Sequence, residues 1–221
     1  ITTFHNARFM GDPLAENCTL VGNPLHEEQL EIVEMLGGAF AVNTVIDESR
    51  HLSYINFGEI RQSHVDAVNF VRQYCEIEID KQFSTVVTTS AGYPLDKTYY
   101  QTVKGMVGAL GVLRPGGRLI IASEISEGLG SMEYVESQRR LLKMGAAAFM
   151  KMIEDQQCAR VDEWQTQMQL KAMARGSISL YSTGLGQEDG QLTGVERIDS
   201  IETAVMSSVA QFEDPAVAVI P

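Results

Sequence analysis

Apolar positions fall into two regimes along the 221 residues, and the change comes near residue 80. Residues 1–38 read as a loop followed by a helix. Gly22-Asn23-Pro24 is turn chemistry, and Leu30, Ile32, Val33 and Leu36 give the stretch from Glu27 to Leu36 helical spacing. Residues 39–58 read as two strands, AFAVNTVI and HLSYINF, joined by a turn around Asp47-Glu48-Ser49. RQSHVDAVNFVRQY then predicts an amphipathic helix with Val65, Val68 and Val71 on one side. The stretch from Cys75 to Phe83 is short, alternating and charged, which suits an edge strand or a hinge. A domain boundary is expected there.

Beyond residue 80 the pattern becomes βαβα. FSTVVTTS is a continuous β-branched run, followed by a loop containing Gly92 and Pro94 and a helix from about Thr98 to Leu113. Pro115-Gly116-Gly117 turns the chain into RLIIAS, a second strand; SISLYST and AVAVI are the third and fourth, each preceded by helical sequence. Continuous apolar strands alternating with helices predict an α/β fold, a parallel sheet with helices on both faces. Ligands of such sheets sit beyond the carboxyl ends of the strands. The loops to watch begin at Ser90, Ser123 and Ser182.

Charge narrows the partners. Seventeen Lys and Arg against 29 Asp and Glu give a net charge of −12, which repels phosphate backbones, and Arg139-Arg140 is the one adjacent basic pair. No nucleic-acid partner is expected. No apolar run approaches the ~20 residues that span a bilayer, so no membrane partner is expected either. Cys18, Cys75 and Cys158 are odd in number and far apart, with no CxxC, which fits a reducing, cytoplasmic compartment. The opening ITTFHNARFM and the closing AVAVIP both read as cuts through a longer protein.

The most informative stretch is TTSAGYPLDKTYYQTVKGMVGALG. Tyr100 and Lys104 are four apart and Gln101 and Lys104 three apart, so they share one helix face, away from the core stripe of Val103, Met106, Val107 and Leu110. An ammonium and an amide converging near a sheet's carboxyl edge suit a carboxylate. The plain alternative is a Thr98-x-x-Gln101 capping box beside a solvated Lys104. Gly105, Gly108 and Gly111 each cost about 1 kcal/mol in a helix, so something must approach that backbone, a neighbouring helix before a ligand. Asp162-x-x-Gln165 opens another helix with the single tryptophan, Trp164, in its first turn, as core or as cleft lining. In SEGLGS, Gly128 and Gly130 before a helix could hold an anion, although a plain βα turn is commoner. TGLGQEDG has the wrong spacing for a dinucleotide fingerprint, and no helix is expected promptly after it. His5, His26, His51 and His64 show no ligand spacing and no triad; His5, in an irregular entry segment, is a possible metal ligand.

TSAGYPLDKTYYQTVKG resembles the nickel-dependent lactate racemase family, with its GGYP-type loop followed by YQ..K. FMGDPLAENCTLVGNPLHEEQLEI is similar to the family's DP…GNPVHED segment, and AFAVNTVIDESRHL to its NVVLDE hairpin. LRPGGRLIIASEISEGLGS is similar to its PGG…EGxGS strand and loop, and VDEWQTQ to its DQWQ. The resemblance implies a fragment of a 2-hydroxy-acid racemase or epimerase that transfers hydride to a nickel pincer nucleotide, with the active site between two domains. Residues 1–80 would be the tail of an N-terminal α/β cofactor domain, and 81–221 a C-terminal substrate-contacting α/β domain. Tyr100, Gln101, Lys104 and Trp164 would face the 2-hydroxy acid, and His5 would ligate nickel. The family's acid/base histidines and cofactor lysine lie upstream of this sequence. The missing N-terminal region of its own chain is then a partner, and the fragment alone is expected to be inactive. SAGYP in place of GGYP points to a substrate other than lactate.

Two rivals remain. A catalytically inactive binding or scaffold module would lack the upstream groups altogether. A methyltransferase would share LRPGGRLII but needs an acidic-Gly-x-Gly loop after its first strand, where TTSAGYP stands.

Overall fold

A computed structural model describes residues 1–221. A short helix, α1 (Ala7–Met10), precedes α2 (Pro24–Met35). The Asn23 side chain accepts from the Leu25 amide at 3.0 Å, and Pro24 takes a first-turn position where its missing N–H is no loss. Strands β1 (Phe40–Ile46) and β2 (Leu52–Glu59) form an antiparallel hairpin. Glu59 then caps α3 (Ile60–Cys75) by accepting from the amides of Arg61 and Gln62. Residues 76–82 are irregular, so no edge strand forms there.

These elements make one compact unit, Gly11–Ile79. Strand residues alternate between its two sheet faces. On one, Tyr54 stacks on Phe70 of α3 with ring centroids 4.7 Å apart. On the other, Phe40, Val42, Ile46, Leu52, Ile55 and Phe57 are each more than half exposed.

The second unit contains β3 (Phe83–Thr89), α4 (Tyr99–Gly108), β4 (Leu113–Ala122), α5 (Met132–Met144), α6 (Ala146–Glu154) and α7 (Glu163–Arg175). It continues with β5 (Gly176–Tyr181), α8 (Gln187–Leu192), β6 (Glu196–Ile198), α9 (Ile201–Phe212) and β7 (Val217–Ile220). The sheet is parallel throughout, in the order β6-β5-β4-β3-β7. It has five strands rather than four, because three-residue β6 is too short to leave a periodic signal. Both faces are covered. Val86 packs with Tyr99, Val103 and Met106 of α4 and Met168 and Ala172 of α7. Its neighbour Thr85, pointing the other way, bonds Ser208 of α9 at 2.6 Å.

Three local departures from the sequence pattern have physical reasons. Helix α4 stops at Gly108, because Leu113 already pairs with Phe83 in the sheet. Pro115-Gly116-Gly117 is a bulge inside β4: the register jumps from Phe83–Leu113 to Thr85–Arg118. Helix α8 begins directly after the TGLG loop, where no prompt helix is expected.

Residues Ile1–Met10 belong to this second unit together with Asp80–Pro221, so a division at residue 80 alone misplaces them. Ala7 is buried with Leu141, Phe149, Ile153 and Leu170, and Gln167 Nε2 donates to the Ala7 carbonyl at 2.9 Å. The three cysteines are free and exposed. No helix is long and apolar enough to cross a membrane.

Candidate functional site

Helix α4 is anchored at both ends of its first turns. Thr98 caps it, its side chain accepting from the Gln101 amide at 3.3 Å. The amides of Tyr99 and Tyr100 donate to the carbonyls of Gly128 and Leu129, each at 3.0 Å. The SEGLGS loop therefore spends its carbonyls on α4, and Ser131 caps α5 through the Tyr134 amide. It is a βα connection rather than an anion cradle.

Gln101 does not complete the capping box. Its side chain lines a cavity of about 350 Å3 with Lys104, Gly105 and Gly108, beside Ser90 and Ala91 of the loop after β3 and the end of β7. Gly105 allows this closeness: a Cβ there would lie 2.6 Å from the Thr89 carbonyl oxygen and 3.4 Å from Ser90 Cα. Gly108 has nothing within 4 Å of such a Cβ, and Gly111 lies beyond the helix, so tight packing explains one glycine of the three.

Three serines end strands at this edge. Ser123 Oγ pairs with Thr102 Oγ1 at 2.7 Å, and Ser182 Oγ donates to the Glu124 carbonyl at 2.6 Å. Ser90 is only 6% exposed, and its Oγ has no partner.

A line of side chains runs from the cavity into the unit. Lys104 Nζ lies 5.5 Å over the Tyr100 ring, and no carboxylate pairs with it. Tyr100 Oη accepts from Trp164 Nε1 at 3.0 Å, and Gln165 Nε2 donates to the Tyr100 carbonyl at 2.8 Å. Tyr134 meets Tyr100 edge-on, with centroids 5.2 Å apart. Burial pushes the Tyr100 phenol above its ordinary pKa, so the hydroxyl keeps its proton across the neutral range. Trp164 is both core and lining: it is 9% exposed, and its ring stands 4.9 Å from that of His5. Asp162 makes no cap for α7; its backbone is left-handed, with φ +61°, and its carboxylate accepts from Ser131 Oγ at 2.5 Å.

His5, Trp164, Tyr100 and Lys104 thus follow one another in contact, with Gln101 beside Lys104 on the cavity wall. His5 Nδ1 donates to the Ile1 carbonyl at 3.2 Å, which leaves Nε2 as its free lone pair. No group of three or more His, Cys, Asp or Glu is gathered closely enough to hold a metal ion. The Ser90 hydroxyl and the Gly105 approach escape sequence reasoning, although the loop start and the glycine spacing both point to the place. His26 and His64, separate in the sequence, have ring centroids 5.5 Å apart in the other unit. A larger cavity there, about 490 Å3, is lined mainly by Leu20, Val21, Leu30, Val65 and Val68 and gathers no comparable donor set.

An open parallel sheet with a lysine and an amide in a cavity at its carboxyl edge defines an α/β small-molecule-binding domain. Residues 79–221 match the family model described as the lactate racemase C-terminal domain, and the chain belongs to that family. It is 32% identical over 126 residues to a lactate racemase of Thermoanaerobacterium thermosaccharolyticum, an alignment covering 57% of this chain and 29% of that protein. Identity to a lactate racemase of Lactiplantibacillus plantarum is 29% over 127 residues, covering 57% and 30%. The structure of the T. thermosaccharolyticum lactate racemase apoprotein matches with a TM-score of 0.91 at 23% identity, over all of this chain and 53% of that one. A Thermotoga maritima protein matches at TM-score 0.61 and 15% identity, over 91% of this chain and 52% of that one. These likenesses show the same fold, and this chain spans about half the length of the two solved proteins.

Proposed function

We propose that the chain is the substrate-holding part of a 2-hydroxy-acid racemase or epimerase, in which Lys104 and Gln101 bind the substrate carboxylate. The observation that supports this most is the pairing of an ammonium free of any carboxylate with an amide on one cavity wall at the sheet's carboxyl edge. A carboxylate is charged before, during and after inversion at carbon 2, so these groups hold the acid while that carbon reacts. Tyr100 and Trp164 act by positioning: the indole N–H fixes the phenol, whose ring supports the ammonium. The binding step needs no proton transfer from any of them.

The family resemblance implies a nickel pincer nucleotide, which when bound accepts hydride from carbon 2. His5 fits one ligand position, with Nδ1 tied to a carbonyl and Nε2 free, an arrangement typical of metal-binding histidines. No second ligand group gathers around it, so this chain does not build that site by itself. We assign the remainder to the region present in relatives about twice as long. The open hairpin face of the first unit, with Phe40, Phe57 and four other large apolar residues, suits the same partner, because strands apolar on both faces are normally covered on both. Three free thiols suit a reducing compartment such as the cytoplasm.

Titration of the isotope-labelled chain with D- and L-lactate, followed by NMR, tests the carboxylate site. Shifts are expected at Ser90, Gln101, Lys104 and Gly105. Lys104→Ala is expected to weaken binding roughly ten- to 150-fold, the worth of a charge-assisted hydrogen bond. Binding unchanged in a folded Lys104→Ala chain returns Lys104 to an ordinary surface role.

A further inference from the structure

We infer that Ser90 is a substrate contact, and that the acid taken by the Lys104–Gln101 cavity carries a hydroxyl beyond carbon 2. This rests on the carboxylate-site reading above and makes it narrower. Ser90 is held where it is by the close approach of α4, with Gly105 leaving no side chain between that helix and the end of β3. Its Oγ is buried and without a partner, while the other polar groups around it are engaged. Thr89 Oγ1 accepts from the Ala91 amide at 3.1 Å, and Thr102 and Ser123 bond each other. A buried hydroxyl left unpaired costs free energy that a ligand group can recover.

The cavity also says which group. Lys104 is the one charged side chain in its wall, so it provides for a single carboxylate. A second carboxylate would enter without a cation, which is costly in a partly desolvated site. A serine hydroxyl both donates and accepts, and so matches a neutral hydroxyl substituent. The methyl of lactate would leave Ser90 unpaired, and sites built to bond a hydroxyl reject analogues that lack one. At about 350 Å3 the space falls in the usual range for small-molecule sites and admits a longer acid. The substrate class is therefore a 2,3-dihydroxy acid or a short sugar acid.

Calorimetric titration of the 221-residue chain with glycerate, lactate and malate, in matched configuration, tests this. Glycerate is expected to bind about two- to tenfold more tightly than lactate, the worth of one neutral hydrogen bond, and malate no better than lactate. Ser90→Ala is expected to erase the glycerate preference without lowering the melting temperature, since no bond within the protein is lost. Ser90→Cys, similar in size and a weak donor, gives the same result if the alanine variant is poorly behaved. A glycerate preference that persists in both variants, absence of that preference in the wild type, or malate as the tightest ligand overturns the inference. In those cases lactate binding that depends on Lys104 still stands. Failure of all three acids to bind the wild-type chain, or binding indifferent to Lys104→Ala, overturns the carboxylate site and this inference with it.

Discussion

Alanine at Gly105 and alanine at Gly108 should move stability in opposite directions, although the two glycines lie three residues apart on one helix. A Cβ on Gly105 would stand 2.6 Å from the Thr89 carbonyl oxygen and 3.1 Å from Ile121 Cδ1. The isoleucine methyl can turn aside, but the carbonyl belongs to a strand registered against β4, with Thr89 opposite Ala122. Forcing a methyl into such a space costs about 1–3 kcal/mol. Better helix propensity returns about 1 kcal/mol, so a net loss of roughly 1–2 kcal/mol is expected. Gly108 has open space around its Cβ position, and alanine there keeps the propensity gain, as much as ~1 kcal/mol. In a chain of this length 1 kcal/mol moves the melting temperature by about 2–4 °C, so the two variants should melt roughly 4–12 °C apart. Trp164, the single tryptophan, lies in the same unit and reports that unit's unfolding by fluorescence. Equal shifts of one sign, or a stabilised Gly105→Ala chain, would refute the close approach that places Lys104 and Ser90 on one cavity wall.

Tyr100→Phe leaves the buried Trp164 N–H without its acceptor, and a loss of about 1–3 kcal/mol with a changed indole emission is expected; unchanged emission and melting would remove Tyr100 from its positioning role. Ala91 holds a left-handed backbone, φ +61°, that costs an L-residue about 1–2 kcal/mol. Ala91→Gly should therefore raise stability in denaturant by roughly 0.5–1 kcal/mol after glycine's own entropy cost, and a fall contradicts the strain. The amides of Gln62 and Arg61 hold the Glu59 carboxyl below its ordinary pKa. Its contribution to α3 is complete above the ordinary carboxylate range and is lost as pH falls through the lowered folded value. Hydrogen exchange at Arg61 and Gln62 should accelerate correspondingly at low pH in the wild type but not in Glu59→Gln; the same slope in both would exclude Glu59 as the cause.

The strands of the second unit were legible because each is a buried run with β-branched or large apolar residues, as in FSTVVTT and RLIIA. Helix-face spacing likewise placed Tyr100, Gln101 and Lys104 together, since three and four residues make neighbours on any helix. What local periodicity cannot carry is contact between distant segments. His5 meets Trp164 only because Ile1–Met10 cross to the far end of the chain, held by buried Ala7 and by Gln167. The loss of a bonding partner at Ser90 was equally invisible, because it depends on what Thr89, Thr102 and Ser123 do with their own hydroxyls. Asp162 misled for a local reason: an Asp-x-x-Gln pattern permits a capping box, but bonding to Ser131 draws the carboxylate away.

The most direct test of the carboxylate site is a crystal structure of the chain soaked with lactate and with glycerate at saturating concentration. Both acids are predicted to lie in the cavity between the Ser90–Ala91 loop and α4, carboxylate on Lys104 Nζ and the Gln101 amide. Acid bound elsewhere on the chain, or a cavity empty at saturation with Lys104 turned to solvent, would contradict it.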